Sequence, residues 1–392
     1  MAFRRQTELD ATRGLMLVWM TLTHLPTNAS AYANQTIGFV SSAEGFIFFS
    51  ALFTGLIYLR VALRDGTNVM QRKLWLRTLR LYGYHALLLG FAFLVAVPIA
   101  ASGDRPHLRY LLDYFFMAGA KHAIIDSAFL IYRPPLLDIL PMYIVFLIFT
   151  PLILAIGLKN GWKWIFAGSL VLWLGAQFGM REAVYRLLVH TVGLRIPLNE
   201  MGSFDLWGWQ FLWVLGLWFG ARWLRDDLPL QDWANRLLIP AAIIAPVLLA
   251  MRYAVGNGVE LGIFEVCFDK WHLGVVRLIN FAALAALLIH FPWVLRKLSV
   301  RPLVQMGQAS LQVFCAHLFF CFAGLTLMGN ASMLKGWEQV MLSAMTFSGL
   351  WVTAKVFGKE GENTGKPLEH KGGLQSLRRL QPVLDSRVGR AK

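Results

Sequence analysis

Glu8-Leu9-Asp10-Ala11-Thr12-Arg13-Gly14-Leu15-Met16-Leu17-Val18-Trp19-Met20-Thr21-Leu22-Thr23-His24-Leu25-Pro26 opens the apolar part of this chain, with an arginine and a histidine eleven residues apart. At about 1.5 Å of rise per helical residue that spacing is about 16 Å, roughly half the hydrocarbon core of a bilayer. Arg13 is therefore expected near the membrane surface through which the chain enters, and His24 well across, toward the other compartment. A cation at one end and a proton-transfer group at the other suit a reaction whose two substrates arrive from opposite sides.

Composition places this helix in a membrane. Of 392 residues, 57% are hydrophobic and 15% charged, with 28 Phe and 15 Trp, more apolar surface than a soluble core of this length needs. The expected fold is an all-α polytopic membrane protein. Arg4, Arg5, Glu8 and Asp10 lead directly into a long hydrophobic stretch without the short apolar core and small-residue site of a cleaved leader, so the first segment is expected to stay as a helix. The net charge of +15 comes without a basic, aromatic-interleaved soluble face, so nucleic acid is not an expected partner. Cys267, Cys315 and Cys321 have neither C-x-x-C nor mixed Cys/His spacing, so neither a disulfide framework nor a metal site is expected.

Apolar runs long enough to span fall at about residues 11–30, 37–59, 81–101, 137–157, 162–180, 207–222, 236–254, 273–295, 309–329 and 337–357, which predicts ten transmembrane helices. With the N-terminus inside, 25 of the 37 Lys and Arg fall on the cytoplasmic face and ten on the other, with Arg13 and Arg277 inside spans; both termini are expected in the cytoplasm. The 60–80 loop carries six of those cations. Residues 102–135 are apolar but too short to cross before Lys121 and His122, which suits a re-entrant or interfacial helix, and 181–206 suit a lid over an external opening. Residues 1–357 form the expected membrane domain, and 358–392 a basic cytoplasmic tail against anionic lipid.

An ionisable group inside a span is costly enough to be a functional candidate by default. Neutral imidazole at His24 can take a proton from an attacking hydroxyl, and the bland alternative is an interfacial histidine bonded to water. Arg13 is either a snorkelling anchor or a contact for an anionic cytosolic substrate. Arg77 and Arg80 stand three apart on one helix face, with Arg72 and Lys73 one turn earlier. Guanidinium forks of this kind suit phosphate or pyrophosphate, and their plain alternative is a positive-inside anchor. Glu44, at the outer end of the second span, orients the His24 imidazole, holds a protonated partner, or is solvated at an external mouth. His85, Arg277, His290 and His317 complete the intramembrane candidates. Trp207, Trp209 and Trp213 with Gln210 mark an interface belt more readily than a sugar platform.

The run Glu8 to Gly14 followed by His24-Leu25-Pro26 resembles the start of the OpgC-type osmoregulated periplasmic glucan succinyltransferase family, within the acyltransferase-3-like membrane acyltransferases. Collinear matches continue through Gly38-Phe39-Val40-Ser41-Ser42-Ala43-Glu44, Leu137 to Tyr143, Trp209-Gln210, Asp269-Lys270 with Arg277, and Gly307 with Ser310, Val313 and Phe314. The resemblance implies a ten-helix enzyme of the bacterial inner membrane. It would take an acyl group from cytosolic acyl-coenzyme A, succinyl-coenzyme A in the named family, and place it on a periplasmic glucan hydroxyl, with no permanently bound cofactor. The implied catalytic set is His24 with Glu44 and Asp10, and the implied coenzyme contacts are Arg13, Arg77 and Arg80. Trp209, Gln210 and Lys270 fall on the implied acceptor side. Phe204-Asp205-Leu206 stands where the family tends to have an Asn-Pro pair, and Ser50-Ala51 where it has Ser-Gly, so the acceptor is the least constrained part. The rival class is a transporter or flippase for a glycan or anionic solute, for which ten spans and intramembrane charges are equally natural.

Overall fold

In the computed structural model of the chain, residues 7–224 and 228–364 are described. Their regular structure is helical, and the β-pairing among them is an isolated bridge between Ile37 and Val40. Eleven helices carry the architecture: α1 Thr7–His24, α2 Ser42–Asp65, α3 Thr67–Phe91, α4 Ile139–Asn160, α5 Lys163–Gln177, α6 Leu206–Leu224, α7 Leu230–Gly256, α8 Val275–His290, α9 Arg301–Gln308, α10 Ser310–Met328 and α11 Gly336–Thr364.

Six helical segments among the described residues are long and apolar enough to cross a membrane: Ser42–Asp65, Thr67–Ser102, Ile139–Asn160, Leu230–Gly256, Ser310–Met328 and Gly336–Gly358. A seventh is reached if Val275–His290 and Pro292–Leu298 count as one broken span, bent by 86°. The ring of Pro292 restricts Phe291 before it, which ends α8 inside the run expected to be one helix. The other three expected spans are helices of a different kind. α5 has 15 residues, and the 18 residues of α1 include Glu8, Asp10 and Arg13. α6 is rich in tryptophan and is packed along α2, as α1 is along α9, so neighbouring protein replaces lipid around much of both. A helix enclosed in this way does not need the hydropathy of one that faces acyl chains.

Close approach of these helices depends on small residues. A Cβ on Gly307 of α9 would run into the carbonyl oxygen of Asp10 in α1, and one on Gly220 of α6 into that of Leu52 in α2. Such contacts let backbones meet where no hydrophobic drive from water operates between lipid-embedded helices.

The 60–80 region is not a loop. α2 runs to Asp65, Gly66 turns the chain at φ 93°, and α3 begins at Thr67, so Arg72, Lys73, Arg77 and Arg80 all stand on a helix. α3 continues through a π-helical turn at Ala92–Ala96 to Ser102. The 102–135 segment forms three short helices, Pro106–Leu111, Asp113–Ala118 and Ala120–Ala128, none long enough to cross. The 181–206 segment begins in a helix, Met180–Val192, and ends in a single turn at Leu198–Met201. Arg181 staples that turn to the helix through the carbonyls of Leu198, Gly202 and Ser203. Of the expected basic tail, residues 365–392 lie outside the described residues.

Candidate active site

The expected coenzyme contacts come together. A cavity of about 700 Å³ is lined by Arg13 of α1, by Lys73, Arg77 and Arg80 of α3, by Tyr58 of α2, by Tyr143 of α4, and by Ser310 and Phe314 of α10. The Arg77 guanidinium donates to the Tyr143 hydroxyl at 2.5 Å and lies 5.7 Å from the centroid of the Tyr58 ring. Two tyrosine side chains therefore hold the guanidinium where it lines the cavity. Arg13 donates to the Ser310 hydroxyl at the start of α10 and stands 4.9 Å from the centroid of the Phe53 ring. It is thus tied to the bundle at the cavity, not extended along the helix toward a headgroup. Lys73 is shared with Asp65 at 3.4 Å. No acidic residue among the described ones lines this cavity, and four cations with hydroxyls between them match a polyanionic ligand such as a phosphate chain.

Phe314 connects the cavity to the histidine. Its ring meets the buried His317 ring at 4.8 Å between centroids in an edge-on arrangement. His317 Nε2 in turn lies 3.3 Å from His24 Nδ1, the last residue of α1. His317 was among the intramembrane candidates, but its partner is 293 residues away in sequence and no periodicity announces the pairing.

Glu44 takes a different partner from the imidazole. Its Oε1 accepts from Arg277 Nε at 2.8 Å and from Arg277 Nη2, and its Oε2 accepts from the Ser41 backbone N–H at 2.9 Å and hydroxyl at 2.6 Å. It is a buried counter-ion and a helix-start cap in one side chain. On the same α8 face one turn later, Asn280 Oδ1 accepts from the Phe39 N–H at 2.8 Å, and the positive φ of Gly38 brings that turn against Asn280. The solvated external mouth is therefore not where Glu44 sits. Asp10 is buried inside α1 where Gly307 packs on its backbone, at the opposite end of that helix from His24.

The expected acceptor-side residues divide. Lys270 stands on the segment before α8, within electrostatic reach of His24, Glu44, Arg277 and Asp138. Burial holds its ammonium below the ordinary lysine value, with the Glu44 carboxylate pulling the other way. The buried Trp209 indole instead donates to the carbonyls of Lys270 at 3.2 Å and Trp271 at 3.0 Å, so it positions the Lys270 segment. Gln210 accepts from the Ser169 hydroxyl at 2.6 Å and donates to the Ser169 carbonyl at 2.8 Å, which joins α6 to α5. The sequence alone assigns no role to Tyr143 or Ser310; the signal available for each is that it lies in a stretch that carries the family resemblance. His290 bonds Asn235 across α7 and α8 at 3.0 Å, a structural link.

Comparison with known proteins identifies a family. The sequence profile of the family described as OpgC protein matches residues 5–361. Neither the curated proteins nor the solved structures contain a match.

Proposed function

The chain belongs to the OpgC family, which suggests a glucan-modifying acyltransferase, and from that premise we propose a multi-pass O-acyltransferase of the bacterial inner membrane that moves a succinyl group from cytosolic succinyl-coenzyme A to a periplasmic glucan hydroxyl. The observation that carries this reading is the single cavity that gathers Arg13, Lys73, Arg77 and Arg80 and reaches Phe314, the residue against which the His317 and His24 pair is packed. In this reading the arginines face the cytoplasm and His24 faces the periplasm, which the excess of Lys and Arg on the expected inner loops supports.

Coenzyme phosphates bind Arg77 and Arg80, and the pantetheine arm passes Arg13 so that the thioester reaches His24. The acceptor hydroxyl oxygen bonds to the thioester carbonyl carbon while His24 takes its proton. The tetrahedral intermediate collapses by breaking the C–S bond, and the departing thiolate recovers that proton from His24. The products are one ester and one free thiol, with no acyl-enzyme required.

The test is thiol release in inverted vesicles supplied with succinyl-coenzyme A, with and without glucan. Release that depends on acceptor and disappears in His24→Ala, at unchanged expression, is the expected result. Solute movement without consumption of thioester would replace the reading with a transporter.

A further inference from the structure

We infer that His317 is a positioning residue for His24: it holds the His24 ring as the Nδ1–H tautomer and leaves Nε2 as the bare nitrogen that accepts the proton. The inference rests, for its catalytic consequence, on the acyl-transfer reading above. The chain of bonds starts at a carbonyl. His317 Nδ1 lies 2.5 Å from the Phe314 carbonyl oxygen, one turn back in α10. A carbonyl only accepts, so the His317 proton is on Nδ1 and its lone pair is on Nε2. That lone pair faces His24 Nδ1 at 3.3 Å, so the proton between the two rings belongs to His24.

Ring geometry agrees with this assignment. The two imidazoles are inclined by only 24°, and their centroids are 5.6 Å apart. That separation is about the 3.3 Å bond plus one ring radius at each end, so the rings meet edge to edge with the N–H in line, not face to face. His317 itself cannot turn away. It is 1% exposed, with its ring packed edge-on against Phe314, and Phe314 is fixed in turn against Phe46 at 5.8 Å between centroids.

A histidine base is normally oriented by a carboxylate or a backbone carbonyl on its second nitrogen. Here a neutral ring does that work, and the carboxylate expected for it, Glu44, is engaged by Arg277 and Ser41. The arrangement sets which nitrogen reacts without placing a permanent charge beside the thioester. It also ties the base to the acyl-donor cavity, because the carbonyl that starts the chain belongs to the cavity-lining Phe314.

The experiment combines ¹⁵N NMR of histidine-labelled protein with steady-state kinetics on wild type, His24→Ala, His317→Leu and His317→Gln. In wild type the His24 and His317 signals should both be those of the Nδ1–H tautomer, the minor form of free histidine. The His24 signature should be lost in His317→Leu and return in His317→Gln, whose side-chain oxygen can accept from His24. With general-base catalysis worth about 10²–10⁴-fold, His317→Leu should lower kcat about 10²-fold with KM for the acyl donor within about twofold, and His317→Gln should recover at least about tenfold of that loss. An Nε2–H signal at His24 in wild type overturns the inference whatever the kinetics show. A His317→Leu enzyme that keeps its kcat while His24→Ala is inactive overturns its catalytic part and spares the acyl-transfer reading. If wild type releases no thiol but both Nδ1–H signals are present, the acyl-transfer reading fails and the tautomer assignment stands.

Discussion

Glu44 of α2 and Arg277 of α8, 233 residues apart, form a buried ion pair with 2.8 Å between Arg277 Nε and the Glu44 carboxylate. The pair, with the Ser41 bonds to Glu44, welds the turn before α2 to the start of α8. Removing one partner leaves an uncompensated buried charge, which costs about 3–5 kcal/mol, whereas replacing both with apolar or neutral groups of similar volume is far less costly. Arg277→Met and Glu44→Gln are therefore each expected to lower thermal stability in detergent sharply, and the double variant to recover most of the loss. Melting of the three proteins checks this, and equal or larger loss in the double variant would contradict it.

The guanidinium pair on α3 should separate binding from chemistry. A hydrogen bond to a charged group contributes about 1.5–3 kcal/mol, so Arg77→Ala or Arg80→Ala is expected to raise KM for the acyl-coenzyme A about 10- to 100-fold with a smaller change in kcat. Tyr143→Phe removes the hydroxyl that accepts from Arg77 and should give a milder version of the same change. Titration of the donor at fixed glucan measures all three effects.

The segment before α8 should respond to pH through His272 and Asp269. His272 Nδ1 lies 2.5 Å from the Asp269 carboxylate, while its Nε2 faces Glu182 at 3.9 Å and Asp205 at 4.0 Å. The bond to Asp269 holds the imidazole above the ordinary value of 6.5 against the effect of burial. For Asp269, burial raises the carboxyl but the bonds from His272 outweigh it and leave the group below 3.8. Stabilisation from the raised histidine is complete below pH 6.5 and lost as pH rises through its folded value; that from the lowered aspartate is complete above pH 3.8 and lost as pH falls through its folded value. Hydrogen-exchange protection around residues 269–275, taken relative to the intrinsic amide rate at each pH, should therefore be greatest between these limits and fall on the alkaline side. His272→Ala is expected to flatten the alkaline limb, and an unchanged profile would remove the pair as its cause.

Local pattern revealed the helices because composition and period act over one helix at a time. It failed where shielding by neighbours altered what a helix requires. The run 207–222 reads as a span by its apolar length, but α6 lies along α2, and a helix shielded in this way can carry many tryptophans. The break at Phe291-Pro292 was visible as a proline, but an 86° bend is an outcome of packing on both sides of it. Glu44 illustrates the limit at the level of one residue: a buried acid demands a partner, and the sequence offers the His24 imidazole and an unspecified protonated group without choosing between them.

Read as a line of residues, the chain determined that it is helical and membrane-embedded, that Arg13 and His24 stand at opposite ends of the first apolar helix, and that Arg77 and Arg80 share a face. These follow from hydropathy, from the 1.5 Å rise and from the helical period, all of which are local. Tertiary structure alone decided that His24 meets His317, that Arg277 and not His24 takes Glu44, and that Arg13 joins Arg77 and Arg80 around one cavity through Ser310. Contacts of that kind depend on how each helix is rotated and how closely it approaches its neighbours. Close approaches such as Gly307 on Asp10 set both, and a linear pattern does not carry them.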